Sequence, residues 1–241
     1  MDHVIGGLAR TARAAARLVL PARCAGCGRA GHPWCGACRG AARRPPPPVP
    51  PLGSSMAPGA PRTWSATVLE GPVRAAVTAH KDGDRRDLRA VLAPLLASAL
   101  VRALAEDDGL RTLRGRGSEV LVVPVPCSGA ARRRRGGDPV AALAEAAATA
   151  VDPDALVLGD VLRHTRRVAD QSGLGRAARG ANLAGALAVR PGRRGLVDGA
   201  GCLLLDDVVT TGATLAEAAR ALRAAGARHV AAATVAATPH R

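Results

Sequence analysis

Apolar residues along the chain fall into two patterns that alternate. Short, almost wholly apolar runs predict buried strands at 119–125, 201–205 and 229–238, with a further short strand at 183–189. Apolar residues that recur at helical spacing predict helices at 4–20, 67–81, 88–105, 140–151 and 214–225. The segment 156–162 fits either pattern. Strands that alternate with helices of this length indicate an α/β fold with a parallel sheet.

Proline and arginine dominate a stretch that separates the N-terminal part of the chain from the rest. Pro21 ends the first predicted helix, and a cysteine-rich segment follows it. The composition of 43–61 is that of a linker, and its tetraproline favours an extended, semi-rigid chain. We therefore expect a helix and cysteine module at 1–50, a proline-rich linker at 51–61 and a larger α/β domain at 62–241.

The strongest chemical signal is the run GCLLLDDVVTTGATLAEAARALRAAGA at 201–227. A buried strand reaches two acids, Asp206 and Asp207, and a threonine- and glycine-rich loop leads directly into an amphipathic helix. Backbone N–H groups converge at a helix N-terminus, where the helix dipole also favours an anion. Carboxylates at the carboxyl end of a parallel strand can bind a sugar diol or a metal-bound diphosphate. We expect an anion site here, in which Gly212 lets a phosphate approach the backbone.

The same run has a simpler interpretation. Thr214 and Glu217 could form a capping box that only starts the helix. Two adjacent acids and three threonines around one glycine exceed what such a turn needs. The chain has neither G-x-x-x-x-G-K-[ST] nor G-x-G-x-x-G, which disfavours a nucleoside triphosphatase or a dinucleotide enzyme.

Four cysteines form the second motif. Cys24 and Cys27 are separated by two residues, as are Cys35 and Cys38, and seven residues lie between the pairs. Two such pairs can complete a tetrahedral zinc site, which would be structural because four thiolates leave no open position for catalysis. A dithiol redox site and a pair of disulfides are the alternatives. Cys202 has no partner nearby in sequence and is interpreted as an ordinary buried cysteine. The same interpretation is possible for Cys127.

Charge and composition narrow the class of partner. The 241 residues include 34 basic and 19 acidic ones, a net charge of +15, and Lys81 is the single lysine among the basic residues. Anionic partners are therefore expected, with arginine well suited to phosphate. Trp34 and Trp64 are the only aromatic residues of the Phe, Trp and Tyr class, so a broad base-stacking platform is absent.

The sequence also bears on localisation. The longest charge-free apolar run, 90–101, contains a proline and is shorter than the roughly 20 residues that span a bilayer, so no transmembrane helix or membrane insertion is expected. Arg10, Arg13 and Arg17 interrupt the apolar part of the N-terminus, which disfavours a signal peptide. We expect a cytoplasmic protein with reduced thiols.

The segment LLLDDVVTTGAT closely resembles the phosphoribosyl pyrophosphate (PRPP) motif of type I phosphoribosyltransferases. The resemblance implies the fold of those enzymes, a parallel sheet flanked by helices. It also implies that Asp206 and Asp207 are the catalytic pair that binds the ribose hydroxyls. The residues implied to cradle the 5-phosphate are Thr210, Thr211, Gly212, Ala213 and Thr214.

A zinc ribbon before such a domain resembles the ComF family, whose members are associated with DNA uptake in competence. HKDGDRRDL around Lys81, VVPVPCSGAARRRRGG at 122–137 and the segment 163–182 are similar to further family elements. The chain departs from the family's usual pattern at 136–139 and at His80, where an aromatic residue is usual. These similarities add Lys81, Cys127, Ser128 and Arg135 to the PRPP-binding candidates, the last three as ligands of the diphosphate.

Two activities follow from this resemblance. One is transfer of phosphoribose from PRPP, with Mg²⁺ on the diphosphate, to an unidentified acceptor. The other is PRPP sensing without chemistry, combined with binding of single-stranded DNA and contact with proteins of the competence machinery. The run 132–135 could instead be a solvated basic turn. Likewise the segment with Gln171, Arg176, Arg179 and Asn182 could be a mobile loop over the site or a plain surface loop.

Overall fold

The computed structural model describes residues 22–43, 56–82, 85–129, 132–133, 136–151, 156–166 and 183–239. In chain order the helices and strands are α1 Gly36–Arg43, β1 Thr63–Val68, α2 Gly71–Asp82, α3 Arg89–Glu106, α4 Asp108–Gly115, β2 Val120–Pro124, α5 Pro139–Thr149, β3 Leu156–Leu158, β4 Leu162–His164, β5 Leu187–Val189, α6 Arg194–Val197, β6 Gly201–Val209, α7 Ala213–Ala224 and β7 His229–Ala237. A single 3₁₀ turn, Arg86–Leu88, precedes α3.

The main sheet has five parallel strands in the order β1-β7-β6-β2-β3. Alternate residues of β6 point to opposite faces. Leu203 and Leu205 pack with α3 and α5, whereas Cys202 and Leu204 pack with α7 and with a small antiparallel ribbon formed by β4 and β5. The central strands are nearly continuous apolar runs because both of their faces are covered. The predicted fold class, a parallel sheet flanked by helices, is confirmed.

Helix α3 supplies much of the core on one face of the sheet. Leu92, Leu96 and Leu100 are almost wholly buried, and the helix packs across β1 and β7. Among the described residues, the helical stretch Arg86–Glu106 is long and apolar enough to cross a membrane by length and composition alone. Core helices of α/β domains pass the same test, and the packing of α3 on the sheet accounts for its apolar side chains.

Three parts of the secondary structure differ from the sequence prediction. The predicted helix at 67–81 is wrong at its start, where Thr67 and Val68, both β-branched, end strand β1 (TWSATV) before α2 begins. Strand β6 does not end at the acidic pair but continues to Val209, with Asp206 in register with Thr234 of β7. Helix α4 was not predicted. The segment 156–162, whose pattern fits either a helix or a strand, forms β3 and the start of β4. The predicted helix at 4–20 lies outside the described residues.

The cysteine module packs on the α/β domain. Trp34 and Ala42 are buried in the same apolar cluster as α3. Gly26 lies so close to the first turn of α2 that an added Cβ would be 2.9 Å from the Cβ of Pro72. The Arg85 guanidinium donates a hydrogen bond to the Arg23 carbonyl at 3.1 Å. The module therefore shares a core with the larger domain, and the boundaries at 50 and 61 remain predictions.

Candidate active site and metal centre

The acidic pair lies near the carboxyl end of β6. Asp207 is 3% exposed, and its Oδ1 lies 3.2 Å from the Lys81 Nζ at the end of α2. Asp206 is less buried, and its Oδ1 accepts a hydrogen bond from the Asp207 N–H at 2.8 Å. The fold thus brings Lys81 next to Asp207, although 126 residues separate them in sequence.

Burial and a neighbouring charge both act on the protonation of Asp206. Burial of the Asp206 carboxyl has the largest effect on its pKa, and the negative charge of Asp207 has the next largest. Together they raise the pKa well above its usual value, whereas the positive charge of Lys81 lowers it. A ligand that brought positive charge or hydrogen-bond donors to Asp206 would favour the ionised carboxylate. The pair is therefore suited to a cation or to the hydroxyl groups of a sugar.

The loop after β6 leads into the N-terminus of α7. Helix α7 begins at Ala213, and Gly212 is its N-cap with φ of 73°. The first-turn N–H groups of a helix have no partner within the helix. One of them, on Ala213, donates a long hydrogen bond of 3.4 Å to Thr211 Oγ1. Thr210 is exposed, and Thr211 and Thr214 are half-buried, so all three hydroxyls lie at or near the surface.

The capping-box interpretation of this loop is wrong. The buried Glu217 carboxylate accepts a hydrogen bond from the Leu187 N–H of β5 at 2.9 Å. It also accepts two hydrogen bonds of 2.8 Å from Arg220. The N-cap has no side-chain hydrogen bond. Glu217 therefore ties α7 to the antiparallel ribbon and leaves the first turn of the helix to other partners.

A segment at the end of the proline-rich region packs on the same loop. The Ala57 N–H donates to the Thr211 carbonyl at 2.8 Å, and Arg223 donates to the Gly59 carbonyl at 2.9 Å. An added Cβ at Gly212 would lie 2.9 Å from Met56 Sδ. Glycine at this position is thus needed both for its left-handed backbone and for the close approach of Met56. The composition of this region, typical of a linker, gave no signal of the contact.

We expect Gly212→Ala to lower the melting temperature and weaken PRPP binding. The left-handed backbone would be strained by about 1 kcal/mol or more, and Met56 would be displaced. Gly199→Ala is a matched control because Gly199 has the same φ of 73° and no atom near its missing Cβ. Thermal unfolding and calorimetry should show a larger loss for Gly212→Ala. Equal losses for the two variants would contradict a role for the Met56 contact.

The loop after β2 is held by Asp138. The Cys127 N–H donates to Asp138 Oδ2 at 2.9 Å, and Oδ1 accepts from the first turn of α5 at 3.0 and 3.2 Å. The Cys127 N–H is therefore engaged by a carboxylate here. The Ser128 carbonyl accepts a hydrogen bond from the Arg132 N–H at 2.9 Å. Asp138 is not among the site residues predicted from the sequence, although Asp followed by Pro before a helix is a recognisable cap.

The antiparallel ribbon touches this loop through His164. Its Nε2 lies 3.2 Å from the Pro126 carbonyl oxygen, and its Nδ1 is buried without a hydrogen-bond partner in the described structure. His164 was not predicted, because nothing in the local sequence indicates a contact 38 residues away. Arg135, Gln171, Arg176, Arg179 and Asn182 lie outside the described residues.

The four cysteines of the N-terminal module form one cluster. Their sulfur atoms all lie within 4.8 Å of one another, and Cys27 Sγ and Cys35 Sγ are 3.7 Å apart. Tetrahedral Zn–S bonds of about 2.3 Å place sulfurs roughly 3.8 Å apart, so the donor set and its spacing fit such an ion. All six cysteines are described, and the structure forms no disulfide among them. The cluster could therefore hold a metal ion such as zinc.

Electrostatic effects differ among the cysteines of this cluster, because burial and the neighbouring thiols raise the pKa of Cys38. Burial raises the pKa of Cys24, but backbone N–H groups of Cys35, Cys27 and Gly26 outweigh it and lower the value to about 6. The thiolate is the form that binds metal. Burial raises the pKa of Cys202 to about 12, which agrees with the interpretation of that residue as an inert core side chain.

Part of the chain is similar to a known protein family. Residues 142–241 match the phosphoribosyl transferase domain family. A solved structure described as the allosteric regulatory enzyme of purine biosynthesis is similar over 62% of this chain and 25% of that chain, with 20% identity and a TM-score of 0.37. The chain thus spans about a quarter of the length of that enzyme. No curated protein matches the chain. The C-terminal part of the chain is therefore similar to the phosphoribosyl transferase domain family, within an α/β fold that carries a four-cysteine module in front.

Proposed function

We propose that this protein binds PRPP at the carboxyl edge of β6 and is a phosphoribosyltransferase of the ComF type, acting in the cytoplasm. One observation carries the proposal: the Asp206–Asp207 pair and the Thr210–Thr214 loop follow each other on β6 and the N-terminus of α7. Both lie inside the segment that matches the phosphoribosyl transferase domain. This juxtaposition provides acceptors for a ribose diol beside donors for a phosphate.

The roles of the residues follow from their chemistry. Asp206 and Asp207 accept hydrogen bonds from the ribose hydroxyls, and the first-turn N–H groups of α7 with the threonine hydroxyls bind the 5-phosphate. Lys81, which is about half exposed, keeps the charge of Asp207 balanced and can also reach an anionic ligand. The carboxylate oxygens suit a hard cation such as Mg²⁺, which when bound with the diphosphate would neutralise part of its charge.

The proposed reaction is a substitution at the ribose C1 atom. The bond from C1 to the diphosphate oxygen breaks, and the diphosphate leaves with the electron pair. The acceptor atom forms the new bond to C1 and releases its proton. The acidic pair holds the ribose and stabilises the positive charge that develops on the sugar. Ser128 and the arginines that follow it are proposed to hold the leaving group.

Purified protein incubated with PRPP, Mg²⁺ and a panel of nucleobases tests this function. Saturable binding of PRPP by calorimetry and release of diphosphate with one acceptor are the expected results. Failure to bind PRPP at millimolar concentration would contradict the proposal. Binding without diphosphate release would favour the second candidate function.

The second candidate is a PRPP-sensing protein that binds single-stranded DNA and contacts the competence machinery. The observation that favours it is the net charge of +15, which arises almost wholly from arginine. Arg132 and Arg133, in the turn after the Ser128 loop, are exposed. Phosphate contacts alone can give DNA affinity without base stacking.

We expect any such DNA binding to fall steeply between low and physiological salt and to be nearly indifferent to sequence. Changing all four residues of the run 132–135 to Gln should weaken binding and flatten the salt slope by about 0.7 per lost phosphate contact. The control changes four other exposed arginines to Gln: Arg116, Arg193, Arg194 and Arg228. Fluorescence anisotropy with a labelled oligonucleotide measures both slopes. Tight binding that ignores salt, or equal effects of the two variants, would rule out this interface.

A further inference from the structure

A small cavity lies between the end of α2, the start of α3 and the start of α5. Its volume is about 200 Å³. We name it the arginine pocket. Its lining residues are His80, Arg86, Arg89, Gly136, Gly137, Asp138, Pro139 and Ala142. The space is several times the roughly 30 Å³ that a water molecule occupies in the liquid, so it can hold a small organic molecule.

The charge of the pocket is dominated by its cationic side chains. Asp138, the one carboxylate among the described lining residues, already accepts three backbone hydrogen bonds, from Cys127, Val140 and Ala141. No hydrogen bond or ion pair is made by the Arg89 side chain in the part of the chain that the structure describes. His80, in contrast to the exposed arginines, is only 8% exposed and forms part of the inner wall. An anionic group would find unengaged hydrogen-bond donors on Arg89, beside the partly engaged side chains of His80 and Arg86.

The remaining walls are small and apolar. Pro139 and Ala142 add apolar surface to the lining, and Gly136 and Gly137 contribute no side chains to it. Such a lining accommodates the body of a small molecule while the arginines bind its charged end. A free inorganic ion would use only the charged part of the pocket.

The pocket adjoins the supports of the acidic site on two sides. His80 precedes Lys81, whose ammonium group contacts Asp207. On the other side, Asp138 holds the N–H of Cys127 in the loop after β2. The pocket is nonetheless separate from the Thr210–Thr214 loop, because no residue of that loop lines it. It is therefore distinct from the proposed 5-phosphate site and lies beside the loop that is proposed to hold the diphosphate.

We propose that the arginine pocket binds a small molecule bearing an oxyanion group, with the oxyanion on Arg86, Arg89 and His80 and its apolar body against Pro139 and Ala142. A carboxylate and a phosphate share this chemistry. Benzoate is a suitable probe of carboxylate binding, and inorganic phosphate of phosphate binding. Only benzoate has an apolar ring, so comparing the two probes also tests the apolar side of the pocket.

The test is an NMR titration of the full-length protein with each probe, in the absence of PRPP. Saturable shifts of the His80 ring and of the Gly137 amide are expected. Arg89→Gln should weaken the affinity at this site by about tenfold, the effect of losing one charge-assisted hydrogen bond. Ala142→Leu fills the apolar side and should weaken benzoate binding more than phosphate binding.

Arg116→Gln is the matched control, since it removes the same charge from an exposed site on α4's C-cap. Arg116→Gln should leave the affinities for benzoate and phosphate, measured from the His80 shifts, unchanged. No saturable shift at His80 and Gly137, or equal affinity in the wild type and Arg89→Gln, would overturn the proposal. Asp207→Asn distinguishes a failure of the pocket proposal from a failure of the proposed PRPP site. This variant should weaken PRPP binding and leave the titration of the His80 shifts unchanged.

Discussion

Asp207→Asn is expected to weaken PRPP binding by about ten- to a hundredfold. The substitution keeps the shape of the side chain but removes the charge that makes its hydrogen bonds to a ribose diol strong. One charge-assisted hydrogen bond contributes roughly 1.5 to 3 kcal/mol, which corresponds to that change in affinity. The buried position of Asp207, at 3% exposure, keeps water from replacing the lost interaction. Calorimetry with PRPP and Mg²⁺ measures the effect.

Asp108→Asn is the control for this variant. Asp108 is an exposed carboxylate on α4, 87% exposed at its side chain and outside the proposed site. The Asp108→Asn protein should bind PRPP as the wild type does. A folded Asp207→Asn protein with unchanged PRPP affinity would refute the assignment of the acidic pair to the ribose.

Cys35→Ser is expected to lose the metal ion and to loosen the N-terminal module. The wild type should contain one zinc per chain, because the four sulfurs already lie at tetrahedral spacing and three of the four cysteines are buried. A structural zinc site of this kind contributes about 10 to 16 kcal/mol of binding free energy, and that energy stabilises the folded module. Metal analysis and limited proteolysis measure the two effects.

Cys202→Ala is the control for the metal. Cys202 is buried in β6 with no link to the cluster, so its loss should affect core packing and leave the zinc content at one equivalent. Wild-type protein with well under one equivalent of metal and four reactive thiols in the module would contradict the zinc assignment.

The main-sheet strands that the sequence predicted correctly are those whose burial is nearly complete. Strands β2, β6 and β7 have few polar residues, so a simple apolar run identifies them. Strand β1 was missed because TWSATV mixes polar and apolar residues, and its serine and threonines are buried by tertiary contacts. Ser65, for example, pairs with the Thr234 hydroxyl at 2.7 Å. The length of β6 was underestimated because a local pattern gives no reason for carboxylates to continue a strand.

The residues of the candidate site also differ in whether the sequence alone could identify them. The acidic pair, the threonine loop and the four cysteines were found because each is contiguous or closely spaced in sequence. Met56, Asp138 and His164 act through contacts that only the fold creates. The resemblance to a family pointed to Lys81, but its ion pair with Asp207 could not be derived from local spacing. Long-range contacts of polar side chains are therefore the part of the site that sequence patterns do not reveal.

The docking of the cysteine module on α2 places the proposed metal site and the proposed PRPP site at the two ends of one helix. Gly26 contacts the first turn of this 12-residue helix, and its last turn carries Lys81 beside Asp207. The helix is about 18 Å long, so the two sites lie at opposite ends of one rigid element. If metal binding favours one position of α2, it changes the affinity for PRPP, and thermodynamic reciprocity requires PRPP to change the affinity for the metal by the same factor. Protein saturated with PRPP should then release zinc to a chelator at a different equilibrium concentration from the free protein.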